Sequence, residues 1–167
     1  MKNKIIYSAM IVGAIWAANT TQLGVARAED AKPTCKKADV VEQVNKGCKF
    51  LEDKGEKGFD DVKAIKFCGE NYAWIQDEKT LLMHPIKPAL KGNSLPQKGP
   101  KGGPLLEDVS SMAKEKEEGA WVEYKWPLIS DPEKSEPKLS YAKKCKTKEM
   151  WFVGAGAWKK EYVDADK

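Results

Sequence analysis

GENYAWIQDEKTLLMHPI, residues 69–86, reads as two strands joined by a turn. The first run, NYAWI, is rich in aromatics and the second, LLM, is aliphatic. Both suit a pleated, half-buried surface, and QDEKT between them is polar. A period of two puts Tyr72, Trp74 and Gln76 on one face of the first strand, and Asn71, Ala73 and Ile75 on the other. His84, the single histidine of the chain, closes the second strand together with Pro85. An aromatic pair on one face belongs more often to a core than to a ligand cage. His84 serves equally well as a half-buried ring bonded to a backbone carbonyl.

Upstream of this hairpin, Val40, Val41, Val44, Cys48 and Leu51 recur close to i, i+3, i+4, i+7 with Lys and Glu between them. The segment from Ala38 to Ala64 is therefore an amphipathic helix that Gly55 and Gly58 interrupt. Downstream, KGNSLPQKGPKGGP supplies turn residues without periodicity and is a loop. LLEDVSSMAKEKEEG is a helix with Leu105, Leu106, Val109 and Met112 on one side and Gly119 as its stop. AWVEYKWPL alternates, with Val122, Tyr124 and Trp126 sharing one face and Trp121, Glu123 and Lys125 the other. A turn-rich ISDPEKSEP then leads to a fourth strand, KLSYAKKC, and a fifth, EMWFVGAGAW. A long helix, a hairpin, a loop, a helix and three strands make an α+β layout around an antiparallel sheet.

The chain opens with Lys2 and Lys4, an apolar run from Ile5 to Ala18, and a small-residue site at Ala26-Arg27-Ala28. This is the order of a secretory signal peptide over residues 1–28, with 29–37 an N-terminal extension of the mature chain. No later segment approaches the ~20 apolar residues of a membrane span, so a periplasmic or secreted protein is expected. Lys2, Lys4 and Arg27 leave with the leader, which takes the formal net charge from +4 to about +1. Lysines and acids alternate, as in MAKEKEEGA, and form no basic stripe for nucleic acid. Cys35, Cys48, Cys68 and Cys145 remain. In an oxidising compartment an even count suggests two disulfides, with three pairings open. Their spacing and the single histidine fit no zinc set, and no cofactor is expected.

Five stretches in order, NYAWIQD, LLMHPIKPALKGNSL, AKEKEEGAWVEYKWP, PKLSYAKK and MWFVGAGAW, resemble the single Cache domains of bacterial extracellular sensing. That family's pattern runs Tyr-x-Trp-Ile/Val-x-Asp, His-Pro-x-x-Pro-x-Leu-x-Gly, Gly-x-Gly/Ala-x-Val-x-Tyr-x-Trp, Lys-x-Ser-Tyr and Gly-x-Gly. The resemblance covers about Val40 to Tyr162. It implies a single Cache domain over 38–163 with a short tail at 164–167. The implied fold is PAS-like: a five-stranded antiparallel sheet with a long N-terminal helix packed on one face. It also implies a small ligand on the other face, and a signal passed to a membrane sensor kinase, chemoreceptor or transporter. Neither membrane anchor of such receptors is present, so a free-standing exported form is expected, with homodimerisation through the long helix open. The family's usual Asp-x-x-Gly turn is replaced by QKGPKGGP, which contains no acid. No role is carried over for Gln97 to Pro104.

The resemblance also implies a bridge. In the PAS-like strand order 2-1-5-4-3, taken with the first and fifth strands parallel, Cys68 and Cys145 come together. Cys35 and Cys48 then pair if the chain before Ala38 leaves the helix, or else remain thiols.

The family-like motifs place Tyr72, Trp74, His84, Trp126, Lys138 and Tyr141 at the ligand, although strict alternation puts Lys138 and Tyr141 on opposite faces. An ammonium, an imidazole, a phenol and tryptophan walls suit a small organic carboxylate. An aromatic cage for an amine is the competing class, which Lys138 disfavours by repulsion. A protein-interaction module without a metabolite is the third. If His84 donates in its charged form, binding weakens as pH rises through its ordinary pKa of about 6.5. No triad, H-E-x-x-H or phosphate loop is present, and the acids read as solvated surface, so no enzyme activity is expected.

Overall fold

The computed structural model describes residues 34–164, and the expected signal peptide lies outside them. The amphipathic segment forms helix α1 (Lys37–Lys54), a 3-10 turn over Gly55–Gly58 and a short helix α2 (Phe59–Lys63). Asp39 accepts a 2.9 Å hydrogen bond from the Lys36 N–H and so covers an open donor at the start of α1. Gly55 ends the helix at φ 58°, a conformation a side chain would strain. The buried stripe of α1 is Val40, Val44, Cys48 and Leu51, as the periodicity predicts. Gly47 lies in that stripe pressed against Val153 of the sheet, where a Cβ would come within 2.8 Å of the valine Cγ1.

The sheet has six strands, β1 (Lys66–Phe67), β2 (Asn71–Gln76), β3 (Leu81–Met83), β4 (Ala120–Pro127), β5 (Ser135–Lys144) and β6 (Phe152–Trp158), and α3 (Leu105–Glu115) crosses its second face. The order is β1-β2-β6-β5-β4, with β3 pairing the same edge of β2 further along. The five expected strands take the 2-1-5-4-3 order. β1, only two residues long, is the strand the sequence did not show. On the α1 side lie Ala73, Ile75, Leu139, Tyr141, Val153, Ala155 and Ala157, and on the α3 side Trp74, Val122, Trp126, Ala142, Phe152 and Trp158. Two apolar layers thus enclose one sheet.

One expectation about direction is corrected. β2 and β6 are antiparallel, with Tyr72 opposite Gly156 and Gln76 opposite Phe152. Since β5 is antiparallel to β6, it runs in the same direction as β2. Cys145, just past β5, therefore sits at the far end of β2 from Cys68, and the two cannot meet. The structure pairs Cys35 with Cys68 and Cys48 with Cys145, at Cα separations of 5.2 and 5.0 Å. Cys35 reaches Cys68 because the chain before α1 runs beside Tyr162 as an isolated parallel bridge. The Cys35 N–H donates to the Glu161 carbonyl, and Val163 N–H to the Cys35 carbonyl. Cys48 neither remains a thiol nor turns back. It faces down from α1 onto the β5–β6 turn.

Non-reducing peptide mapping is expected to recover Cys35–Cys68 and Cys48–Cys145 peptides. A Cys68–Cys145 peptide would reverse the direction of β6. Removing the Cys48–Cys145 bridge, which closes a separation of 97 residues, is expected to lower stability by about 4–5 kcal/mol. The Cys35–Cys68 bridge, at 33 residues, is expected to contribute about 3–4 kcal/mol. Chemical denaturation of the two double Cys→Ala variants measures both.

Candidate functional site

The face of the sheet under α3 is hollow at its centre because β6 carries glycine where its neighbours carry large rings. Trp74 lies directly across from Gly154, and a Cβ on that glycine would fall 2.2 Å from the indole Cζ2. Gly156 likewise accommodates the Ser140 hydroxyl, 2.1 Å from where its Cβ would be. The rings lean over the glycines and leave a cavity of about 300 Å³ counted out to its mouth.

Of the six residues the sequence points to, five line this cavity: Tyr72, Trp74, His84, Trp126 and Lys138. Tyr141 does not. β5 is regular from Ser135, so Lys138 and Tyr141, three apart, point to opposite faces. Tyr141 packs in the α1 layer, its ring 5.2 Å from Trp121 and its hydroxyl donating to the Glu118 carbonyl. The lining also includes Gln76 and Tyr124, together with Leu81, Leu95 and the α3 residues Leu105, Leu106 and Val109. Gln76 and Tyr124 share the parity of Tyr72 and Trp126, so alternation was the signal that could have found them.

Lys138 is 1% exposed. Its Nζ lies 4.0 Å from the Tyr72 ring centre and 4.7 Å from that of Trp158, a ring the sequence reading did not assign to the site. Among the described residues no side chain or carbonyl accepts a hydrogen bond from this ammonium, and no carboxylate pairs with it. Burial pulls its pKa from 10.5 down to about 7, against a raising influence from Glu161. Two ring faces stabilise the cation only partly.

His84 is 4% exposed. Its partners are not the backbone carbonyl of the simpler reading. The Ile86 and Lys87 N–H groups donate to Nδ1 at 3.2 and 3.0 Å. The proton of the neutral ring therefore sits on Nε2. The imidazole lies between Tyr72 and Trp126, with ring centres 4.8 and 5.8 Å away. Burial, then the charges of Lys138 and Lys87, lower its pKa to about 3. Of the two forms in which the ring could donate, the neutral one is therefore present at neutral pH, with Nε2–H free to give. The Tyr72 hydroxyl accepts from Trp126 Nε1 at 2.8 Å and keeps its own proton to give. Three donors on the cavity wall, Lys138 Nζ, His84 Nε2 and the Tyr72 hydroxyl, are thus without an acceptor among the described residues.

The cover is fixed by side chains. Gln76 donates to the Leu106 carbonyl at 2.9 Å while accepting from Trp74 Nε1 at 2.9 Å, which ties α3 to the strand beneath it. Asp108 at the start of α3 accepts from Lys101 N–H at 2.7 Å and Gly103 N–H at 3.3 Å. Gly99 and Gly103 are the close approaches, where a Cβ would meet the Asp108 carboxylate at 2.5 and 2.7 Å. The acid missing from QKGPKGGP is supplied from the next helix. Elsewhere, Cys35, Asp39 and Cys68 bring one potential metal ligand atom each within 4.8 Å, but the two sulfurs are joined in the disulfide.

Because His84 stays neutral in the fold and ionises near 6.5 when unfolded, the unfolded chain binds the extra proton between these values. Stability is therefore lost as pH falls below about 6.5, by about 1.4 kcal/mol per pH unit from this group. The slope is expected to vanish in His84→Gln, measured by denaturation between pH 4 and 7. Gly154→Val is expected to displace Trp74 and close the hollow, seen as a change in tryptophan fluorescence.

A model of the Cache domain family matches residues 37–166. Among solved structures, the chain is similar to a periplasmic sensor domain of a chemotaxis protein, at 23% identity and a TM-score of 0.63, over 72% of this chain and 93% of that one. It is also similar to a Cache chemosensory domain described for carboxylic acid recognition, at 23% identity and a TM-score of 0.56, over 71% and 85%. A third match is a methyl-accepting chemotaxis protein from Vibrio parahaemolyticus, at 20% identity and a TM-score of 0.60, over 78% and 90%. With the helix-on-sheet fold, the strand order and the hollow face under α3, the match over nearly all the described residues places this chain in the Cache domain family.

Proposed function

We propose that the protein is an exported sensory domain that binds a small organic carboxylate in the cavity under α3 and passes the signal to a membrane partner. The observation that carries this reading is the buried Lys138 ammonium, which has aromatic faces but no carboxylate in ion-pair contact among the described residues. An unpaired buried charge is unfavourable in itself, and a carboxylate supplies the missing partner. Tyr72 and His84 offer two neutral donors to the same anion, and Trp74, Trp126, Leu105 and Leu106 surround an alkyl portion. The amine alternative is disfavoured because a lysine already occupies the faces of Tyr72 and Trp158. The carboxylic acid recognition described for one similar Cache domain supports the ligand class. The sensor domains among the similar structures support a membrane receptor as partner. No helix among the described residues is long and apolar enough to cross a membrane.

Thermal-shift measurements against short-chain carboxylates test the reading. A ligand at 100 times its Kd is expected to stabilise by about 2.7 kcal/mol. Lys138→Met is expected to lose that shift while raising the melting temperature of the unliganded protein, because it removes a buried charge at similar volume. A liganded shift that survives in Lys138→Met would remove the ammonium from the site.

The pH dependence belongs to Lys138 rather than His84. The carboxylate pairs with the ammonium form, whose pKa in the free protein is about 7. Affinity is therefore expected to be level between pH 5.5 and 6.5 and to fall towards tenfold per unit above pH 7, with proton uptake on binding. Calorimetry in two buffers of different ionisation enthalpy measures that uptake.

A further inference from the structure

Resting on the carboxylate reading, we propose that the preferred ligand is a dianion, one carboxylate on Lys138 and a second anionic group on Lys87 at the mouth. Lys87 is half-buried, and its Nζ lies 5.8 Å from the centre of the Trp126 ring. Trp126 in turn donates to the Tyr72 hydroxyl at 2.8 Å, and Tyr72 carries Lys138 on its face. The two ammonium groups thus stand beside a hydrogen-bonded pair of lining rings, Lys138 within the lining at Tyr72 and Lys87 next to it at Trp126. The backbone of Lys87 is fixed by its N–H bond to His84 Nδ1, which holds the root of the side chain beside the cavity.

The one acid that acts on Lys138, Glu161, raises its pKa without forming an ion pair with it. The cavity lining contains no Asp or Glu, and no carboxylate among the described residues pairs with either lysine. His84 between them is neutral. The segment that bounds the mouth repeats the bias. From Lys79 to Leu106 the sequence holds Lys79, Lys87, Lys91, Lys98 and Lys101, while the nearby acids Glu78 and Asp108 are engaged by Lys114 and by the Lys101 and Gly103 N–H groups. Of these, Lys101 is satisfied by Glu115 at 2.6 Å. A monocarboxylate would neutralise the inner cation and leave the outer one facing the ligand's alkyl end. A dianion answers both, and the surplus positive field draws it in.

Titration calorimetry at pH 6.5 with acids matched in chain length tests this, using butyrate against succinate and valerate against glutarate. The diacid is expected to bind about tenfold or more tightly than its monoacid, the increment of one added charge-assisted contact. Lys87→Met is expected to bring that ratio close to one, and Lys87→Glu to reverse it. Monoacids that bind as well as diacids would overturn the dianion inference and leave the carboxylate reading standing. A diacid preference that persists in Lys87→Met would overturn the assignment of the second group to Lys87. Binding of neither class would overturn both.

Discussion

The antiparallel pairing of β2 with β6 is the constraint on which the rest of this molecule turns. It sets Trp74 across from Gly154 and Tyr72 across from Gly156, so the largest side chains of one strand face the smallest of the other. Reversing β6 would set Trp74 against a different residue and fill the hollow. The same pairing brings the end of β6 beside the start of β2. Asn71 there donates to both the Cys68 carbonyl and the Glu161 carboxylate, at 3.0 and 2.9 Å. The chain ends meet at that corner: Cys35 bridges Cys68, and Lys37 N–H donates to Asp164 at 3.1 Å.

Above that sheet the energetics divide by face. The α1 face is closed with aliphatic side chains and two ringed alcohols whose hydroxyls find backbone partners, Tyr141 on Glu118 and Tyr162 on Leu139. On the α3 face, Lys138, His84 and Tyr72 hold protons with no acceptor among the described residues, in surroundings where an unmatched polar group is most expensive. The same low-dielectric surroundings that lower the pKa of Lys138 strengthen its attraction to an entering anion. Donors fixed before the ligand arrives need little reorganisation on binding.

What the sequence made legible was everything that depends on local period. Helix α1 and its buried stripe, both strand faces of β2 and β4, and the five lining residues from Tyr72 to Lys138 followed from spacing or from motif. Alternation even contained the warning about Tyr141, which the motif resemblance overrode. What failed was long-range. Whether β6 runs with or against β2 is decided by the connection through β5, which begins only at Ser135, far beyond the end of β2 at Gln76, and no residue in either strand encodes it. Both disulfide pairings went wrong with that direction. The neutral state of His84 was illegible for a related reason: it depends on burial and on Lys138, which is distant in sequence. Asp108 was missed because its role in the glycine-rich loop appears only when α3 folds back over it.

The placement of the covalent bonds bears on how a ligand enters. One disulfide ties α1 to the β5–β6 turn and the other ties the segment before α1 to the start of β2, so neither touches α3 or the loop that precedes it. The layer away from the cavity is stapled. The layer over the cavity is held by apolar contacts and by a handful of hydrogen bonds, from Gln76 to Leu106, from Ser110 to the Glu78 carbonyl and within the Asp108 loop. His84 and Lys138 are almost wholly buried beneath this second layer. The hydrogen-bonded layer separates at far lower free energy than the disulfide-linked one. On the proposed carboxylate reading, the part of the fold free to adjust to a ligand is α3 with its loop, over a layer that the two bridges fasten.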